Sequence, residues 1–532
     1  LLIVEIFRVL SGPDDRILAF ASYTVAFANA IDRFEVFMTP AELTAAEARR
    51  LIGSRELSPV ELLASCIEQI DRIDPAVNAM VIRADERARR EAIEAEHAVR
   101  RGEPLGPLHG LPVAIKDIQD TEGIRTTYGS QSLEYNIPTA DAGIVARIRR
   151  AGGIVIGKTN VPEFSIGANT VNRLFGATGN PFDVTRTCGG SSGGSAVAVA
   201  TNMAPLATGS DHGGSLRIPA CYSGVVGYRA TPGVVPNERR TVTQTNYGVQ
   251  GPMARTVADA ALLLSVIAQR STATRRDPMA FPLDAAAFAT LEPVDLSGLR
   301  VAVTADLGGV LISQTIRRTF AQRVARLSRF VGRCDWHPID LRRGPDVDWH
   351  VRQDLFVAQY AREAATWDAG FNPNVRATYE AALGTSVEAI AKARRTQMEL
   401  YQAFNAIYDD YDLVICPGVS IPPFEWTRLN PDEIDGERVA NYMAWLALTS
   451  SITVVGHPVV ALPCGLDEAG TPFGIQVIGP MYADHALLRA AHALEQAFAA
   501  DPQLMRPLPD FARLATTTSQ CRTLGRSVQT ST

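Results

Sequence analysis

Two glycine clusters carry serines in this chain: Gly189-Gly-Ser-Ser-Gly-Gly-Ser195 and Gly209-Ser-Asp-His-Gly-Gly-Ser-Leu-Arg217. Glycines at this density admit backbone dihedrals closed to other residues and bring main-chain N–H groups close to a ligand. A serine directly after His212-Gly213-Gly214 can attack a carbonyl while the N–H groups of that turn hold the oxyanion that forms. Such a donor is typically worth about 3–4 kcal/mol of barrier. A single glycine cluster is more often a turn or a close approach of chains. Two of them, each bearing serines, point to nucleophilic chemistry.

A serine nucleophile needs a base. Among 51 Lys+Arg residues the chain has three lysines, at 116, 158 and 392. Ordinary surface cations in this protein are therefore arginines. Lys116 instead ends an apolar run, Leu111-Pro-Val-Ala-Ile-Lys116. Arginine keeps its proton in a protein, whereas a desolvated lysine can lose it and become a base. Two other motifs compete for these residues. Val113-Ala-Ile-Lys116 matches the strand lysine of protein kinases, but no H-R-D or D-F-G follows. Gly189-Gly-Ser191-Ser-Gly193 fits the G-x-S-x-G elbow of α/β-hydrolase esterases, with Ser191 or Ser192 attacking and a later histidine as base. His337, His350, His457, His485 and His492 are available, and His457 in Gly456-His-Pro458 is the best placed. That reading stays open, although it gives neither Lys116 nor Gly213-Gly214-Ser215 a role.

The elements that must position these residues alternate. Leu111–Ile115, Gly153–Ile156, Leu299–Thr304, Leu413–Cys416, Val459–Leu462 and Phe473–Ile478 have the composition of buried strands. Ile144–Ala151, Thr256–Gln269, Thr315–Phe330 and His485–Ala500 have helical periodicity. Thr44-Ala-Ala-Glu47 and Ser58-Pro-Val-Glu61 are capping boxes that start two early helices. The alternation predicts an α/β fold with helices covering a sheet. From 348 to 449 the pattern turns mainly helical and aromatic, with Trp349, Phe356, Tyr360, Trp367, Tyr379, Tyr401 and Phe404. This is the expected helical insertion, part of which is expected to wall a pocket. The polar stretch Asn237–Val249 is expected to be a mobile loop near the site.

One domain is expected over residues 38–512, preceded by an extension at 1–37 and followed by a disordered Ser/Thr-rich tail at 513–532. Within the extension, Ile17–Ile31 is too short for a membrane helix. It could serve as a signal h-region with Ala28-Asn29-Ala30 as cleavage site, but Asp14 and Asp15 oppose that reading. A net charge of −6, 46% hydrophobic and 20% charged residues describe a globular protein without a nucleic-acid footprint. The seven cysteines show no C-x-x-C pair, which favours a cytoplasmic, reducing setting and argues against a zinc site.

Gly189–Ser195, Gly209–Arg217 and the Lys116-Asp117 strand end together resemble the amidase signature family. The likeness runs from about Pro40 to about Ala500. It includes Gly157-Lys-Thr-Asn-Val-Pro-Glu-Phe164, Phe175-Gly-Ala-Thr-Gly-Asn-Pro181, Gly251-Pro-Met-Ala-Arg-Thr256 and Pro463-Cys-Gly465. The resemblance implies a large twisted mixed β-sheet covered by helices on both faces. It implies Ser215 as nucleophile, Ser191 as a relay serine held by a cis peptide bond, and Lys116 as general base. The main-chain N–H groups of His212, Gly213, Gly214 and Ser215 would form the oxyanion hole. Ser192, Asp211 and Arg217 would support the site, and Ser165 would contact substrate. No metal or organic cofactor is implied.

The expected substrate is a small-molecule amide, anilide or carbamate, with a urethanase-like activity included, and the expected state is monomer or homodimer without nucleic acid or membrane. The alternative within the family is the A subunit of a glutamine-dependent aminoacyl-tRNA amidotransferase. Arg217-Ile-Pro219, in place of the Arg-Gln-Pro often found there, weighs against it. A catalytically dead binding protein would lack at least one of the three catalytic positions, and all are filled. Ser210 and His212 depart from the family's usual residues, and His212 adds an imidazole beside the oxyanion turn.

Overall fold

The computed structural model describes residues 38–362, 364–367 and 371–523. The expectations for the extension at 1–37 and its signal-like run lie outside the described residues. The framework is an 11-stranded mixed sheet. In chain order its strands are β1 Met80–Arg83, β2 Pro112–Lys116, β3 Ile154–Thr159, β4 Leu206–Asp211, β5 Val226–Arg229, β6 Val249–Ala254, β7 Arg300–Val303, β8 Arg333–Trp336, β9 Leu413–Pro417, β10 Val459–Leu466 and β11 Pro472–Ile478. Across the sheet they run β1-β3-β2-β4-β6-β5-β10-β11-β9-β7-β8.

Every residue of β2, β3, β9 and β11 is buried, which explains their continuous apolar runs. Where a strand carries polar residues inside, the reason is the site. β2 and β4 are parallel neighbours, with Val113 opposite Leu206 and Ala114 opposite Ala207. Two residues further on, Lys116 on β2 comes level with Gly209 and Ser210 on β4. Parallel strands end at the same edge of a sheet, and ligands of open α/β sheets gather at that carboxyl edge.

Helices α1 Ala45–Ser54 and α2 Pro59–Val77 open the described chain. Thr44 Oγ1 accepts from Glu47 N–H, and Ser58 and Glu61 form the reciprocal capping box with Pro59 at the first helical position. Two further helices begin directly at the serine-rich segments: α3 Gly193–Ala200 and α4 Arg217–Ser223. Helices α5 Val257–Ile267, α6 Gln314–Leu327, α7 Gly344–Tyr360, α8 Pro373–Leu383, α9 Val387–Asn405, α10 Ala447–Val455 and α11 Asp484–Ala499 follow. Within the expected insertion at 348–449 the long helices are α7, α8 and α9, with short 3-10 turns between and the start of α10 at its end. The chain then re-enters the sheet as β9, because Leu413–Pro417 is apolar throughout and pairs with both β7 and β11.

The tail expected to be disordered from 513 is placed as far as Thr523. Phe511–Thr516 is helical, and Cys521 is buried with Val171, Ala177 and Trp426. The Ser/Thr composition conceals one apolar anchor. No helix among the described residues is long and apolar enough to cross a membrane.

Gly194 shows how tightly α3 sits on β3. A Cβ there would lie 2.3 Å from the backbone nitrogen of Asn160 and 2.7 Å from its carbonyl oxygen. Gly194→Ala is therefore expected to cost about 1–3 kcal/mol by overpacking. Gly298→Ala, where nothing lies within 4 Å, should instead be neutral or stabilise by about 0.4–1 kcal/mol. Urea unfolding of the two variants checks the contrast.

Candidate active site

Lys116 is fully buried. Its Nζ lies 2.8 Å from Ser191 Oγ, 2.9 Å from Ser192 Oγ and 2.8 Å from Ser210 Oγ. The backbone of the strand end is fixed as well, since Lys116 N–H donates to Thr208 Oγ1 at 3.0 Å. Burial pushes the lysine well below its usual range, and the nearest opposing influence is the charge of Asp211. A neutral amine donates two hydrogens and accepts one. Three hydroxyls surround it, so one of them must point its proton at the amine. Ser192 has another acceptor, the Ser210 carbonyl at 3.3 Å. Ser191 and Ser210 are thus the hydroxyls able to hand a proton to Lys116.

The Gly190–Ser191 peptide bond is cis. Ser191 is followed at once by α3, and the Ser192 N–H donates to the Ser215 carbonyl at 3.2 Å, which ties the first glycine cluster to the second. Ser191, Ser210 and Ser215 all line one cavity of about 430 Å³.

The turn bearing Ser215 is built around Asp211. Its carboxylate accepts from Gly214 N–H at 2.9 Å, Leu216 N–H at 3.1 Å, Arg217 Nε at 3.0 Å, Arg217 Nη2 at 2.9 Å and Arg229 Nη1 at 3.2 Å. The two guanidiniums hold this buried carboxyl far below the ordinary range. Arg217 reaches onward to the Thr449 carbonyl, Gln476 Oε1 and Thr453 Oγ1, each at 2.8 Å, so the turn is also braced on α10 and β11.

Gly214 has φ +131° and a Cβ on it would meet Thr449 Oγ1 at 2.4 Å. No other residue fits there. Gly214 N–H donates to Asp211 Oδ1 at 2.9 Å. The N–H groups of His212, Gly213 and Ser215 have no partner among the described residues.

Ser165 lines the cavity in a left-handed conformation, φ +60°, and its Oγ has no partner among the described residues. His212 lines it too, with its ring centroid 4.9 Å from that of Tyr247. Burial, then Arg352 and Arg229, push the imidazole well below its usual range, so it is neutral. His457 does not line the cavity. It packs among Tyr401, Phe404 and Tyr408, its Nδ1–H donating to the Val455 carbonyl at 3.1 Å. The elbow reading thereby loses its base.

Two features beyond the catalytic positions shape the site. Lys158, a second buried lysine, is held by the Gln119 carbonyl at 2.5 Å, Thr121 Oγ1 at 3.0 Å and Thr126 Oγ1 at 3.1 Å; burial lowers it to about 8. The scarcity of lysine among the cations is the signal that could have found it. The polar stretch expected to be a mobile loop lines the cavity and is tied by three ion pairs: Glu238 with Arg147, Arg239 with Asp120, and Arg240 with Asp277. An apolar wall opposes it. Phe164, Phe356 and Tyr360 line the cavity, and Phe164 packs on Phe371 and Tyr360 at ring separations of 5.5 and 6.2 Å.

Arg217→Ala would leave Asp211 buried with Arg229 as its one remaining cation. Removing one partner of a buried pair typically costs about 3–5 kcal/mol. Denaturant unfolding should show a loss of that size; a loss under about 1 kcal/mol would mean that Arg229 alone sustains the turn.

The chain is similar to known proteins over most of its length. The Amidase family matches residues 61–488. The chain is 32% identical over 477 residues to the A subunit of the glutamyl-tRNA(Gln) amidotransferase of Picosynechococcus sp., covering 84% of this chain and 96% of that one. It is 30% identical over 459 residues to the acylamidase of Rhodococcus erythropolis, covering 85% and 95%. Among solved structures, a bacterial aryl acylamidase of the amidase signature enzymes superposes with a TM-score of 0.79 at 26% identity, covering 89% of this chain and 98% of that one. The match spans the sheet, both serine clusters and the strand that ends in Lys116, and the chain belongs to the amidase signature family of amide-hydrolysing enzymes.

Proposed function

We propose that this protein hydrolyses small amides, anilides or carbamates through an acyl- or carbamoyl-enzyme on Ser215. The observation that carries the reading is the buried Lys116 amine, lowered well below its usual range, 2.8 Å from Ser191 Oγ at a cavity that Ser191 and Ser215 both line. Lys116 takes the Ser191 proton, Ser191 takes that of Ser215, and Ser215 Oγ bonds to the substrate carbonyl carbon. The carbonyl oxygen becomes an oxyanion and is held by the free N–H groups of the turn, those of His212, Gly213 and Ser215. Asp211 occupies the N–H of Gly214 and fixes the turn, so these donors need not reorganise as charge develops. The proton returns through Ser191 to the leaving nitrogen as its bond to carbon breaks. Water then follows the same path in reverse and frees Ser215. Ser192 and Arg217 keep Lys116 and the turn in place, and Ser165 offers an unpartnered hydroxyl to substrate. The wall of Phe164, Phe356 and Tyr360 favours an aryl or alkyl group on the substrate.

The second reading, an amidotransferase A subunit, is favoured by the 32% identity to one. A TM-score of 0.79 to an aryl acylamidase, against 0.69 to the A subunit of Thermotoga maritima, supports the free-standing hydrolase instead. Turnover of 4-nitroanilides and aryl carbamates by the isolated chain, without glutaminase activity, is the expected result; glutaminase activity that appears only with partner subunits would reverse it.

Two measurements test the chemistry. A fluorophosphonate should label Ser215, and Lys116→Ala should lower kcat by about 10²–10⁴-fold with the fold intact. Because Lys116 works as its neutral form and its pKa lies well below 10.5, the rate should rise with pH through the depressed value and be level before 10.5. A rate still climbing through that pH, or a label on another side chain with Ser215 free, would overturn the mechanism.

A further inference from the structure

Helix α7 of the insertion sends an arginine to the serine-bearing turn. Arg352 is buried, at 4% exposure, and lines the cavity. Its Nη2 would lie 3.1 Å from a Cβ on Gly213, so the guanidinium rests against the turn that holds the oxyanion donors. One helical turn earlier, Asp348 takes part of its charge, with Nη2 3.1 Å from Oδ1. That ion pair alone would be an ordinary i, i+4 contact. Three observations say more. Arg352 Nε is buried without a partner among the described residues, and so is Nε2 of the neighbouring His212. The face of Tyr247 lies 6.0 Å from the guanidinium carbon, which keeps water from that side. The charges packed on this turn also do not balance.

Arg217, Arg229 and Arg352 face Asp211 and Asp348, while burial pushes both Lys116 and His212 well below their usual ranges. The ion pairs of the cavity mouth, Glu238–Arg147, Arg239–Asp120 and Arg240–Asp277, each cancel. One positive charge remains in excess beneath the turn, and an uncompensated buried charge is unfavourable. A ligand anion would offset it and accept from the idle Nε–H, which is the geometry at which arginine binds carboxylates best.

We propose that Arg352 is a specificity-determining residue that pairs with a carboxylate carried by the substrate next to its scissile carbonyl. The preferred substrates are then half-amides, anilides or carbamates bearing an acid group at one end and an apolar group at the other. The acid is taken at Arg352 and the apolar end by Phe164, Phe356 and Tyr360. This deepens the hydrolase reading and rests on Ser215 marking the position of the carbonyl, but its test does not require turnover.

Binding to the full-length Ser215→Ala protein separates the two. Calorimetry would compare the 4-nitroanilides of succinic acid, of its monomethyl ester and of butyric acid. The succinyl compound is expected to bind at least about tenfold more tightly than the other two, as a charge-assisted bond in a buried site predicts. In Ser215→Ala/Arg352→Gln that ratio should fall to near one. Where loss of the arginine leaves Asp348 unpaired and the protein unfolds, adding Asp348→Asn restores a neutral pair, and the ratio in that variant should again be near one. Asp348→Asn alone frees the whole arginine charge and should raise the ratio. Equal binding of the three anilides by the Ser215→Ala parent, tight binding of the methyl ester, or a ratio that survives loss of Arg352 would each overturn the proposal. Failure of the wild-type protein to cleave any of them, with Ser215 unlabelled by a fluorophosphonate, would instead count against the hydrolase reading.

Discussion

The carboxylate of Asp211 is the point on which the site is built. It ends β4, it is fully buried, and backbone N–H groups and two arginines converge on it. Each of those bonds fixes something different. Gly214 and Leu216 fix the turn, Arg217 carries the connection to α10 and β11, and Arg229 carries it to β5 and, through the Asn246 carbonyl at 2.6 Å, to the loop that lines the cavity. A carboxylate buried this deeply persists only because its partners are charged and well aligned. The same bonds leave the N–H groups of His212, Gly213 and Ser215 unspent. The turn is rigid on its inner side and open on the side facing the cavity.

Lys116 is buried under the opposite rule. It has hydroxyls as neighbours and no carboxylate in contact, so burial outweighs the distant charge of Asp211 and pushes the lysine well below its usual range. Asp211 and Lys116 sit on adjacent parallel strands, yet burial and its partners hold one ionised and drive the other toward its neutral form. Lys158, by contrast, has the charge of Asp117 acting on it and is lowered less, to about 8. Environments that push neighbouring groups apart in this way are what acid–base chemistry at ordinary pH requires.

The same contrast accounts for which parts are legible in the sequence. Lys116 stands out because arginine serves as the surface cation in this chain, and a lysine retained in an apolar strand has a reason to be a lysine. The serines stand out because glycines flank them. Strands that lie buried on both sides, such as β9 and β11, show as apolar runs. β4, Leu206–Asp211, does not show as a strand, since Thr-Gly-Ser-Asp has no apolar period; its polar residues face the site rather than the core. β5 and β6 are hidden for a related reason: glycine and arginine interrupt the first, and glutamine, glycine and proline the second. The fold is least readable where it is most functional.

The loop at 237–249 and the insertion pose a different difficulty. Both act through pairs far apart in the chain: Glu238 with Arg147, Arg240 with Asp277, Arg352 with Gly213. No local pattern announces such pairs, so the loop reads as mobile when charge ties it down. The chemistry of the site therefore rests on the sheet edge, where sequence motifs are local, while the walls of the cavity come from segments whose partners only folding reveals. Motif resemblance can accordingly carry over a reaction type from relatives that differ in what they act on. On the proposed reading the choice of substrate falls to α7, at Arg352, a position whose meaning depends on what the fold brings beside it.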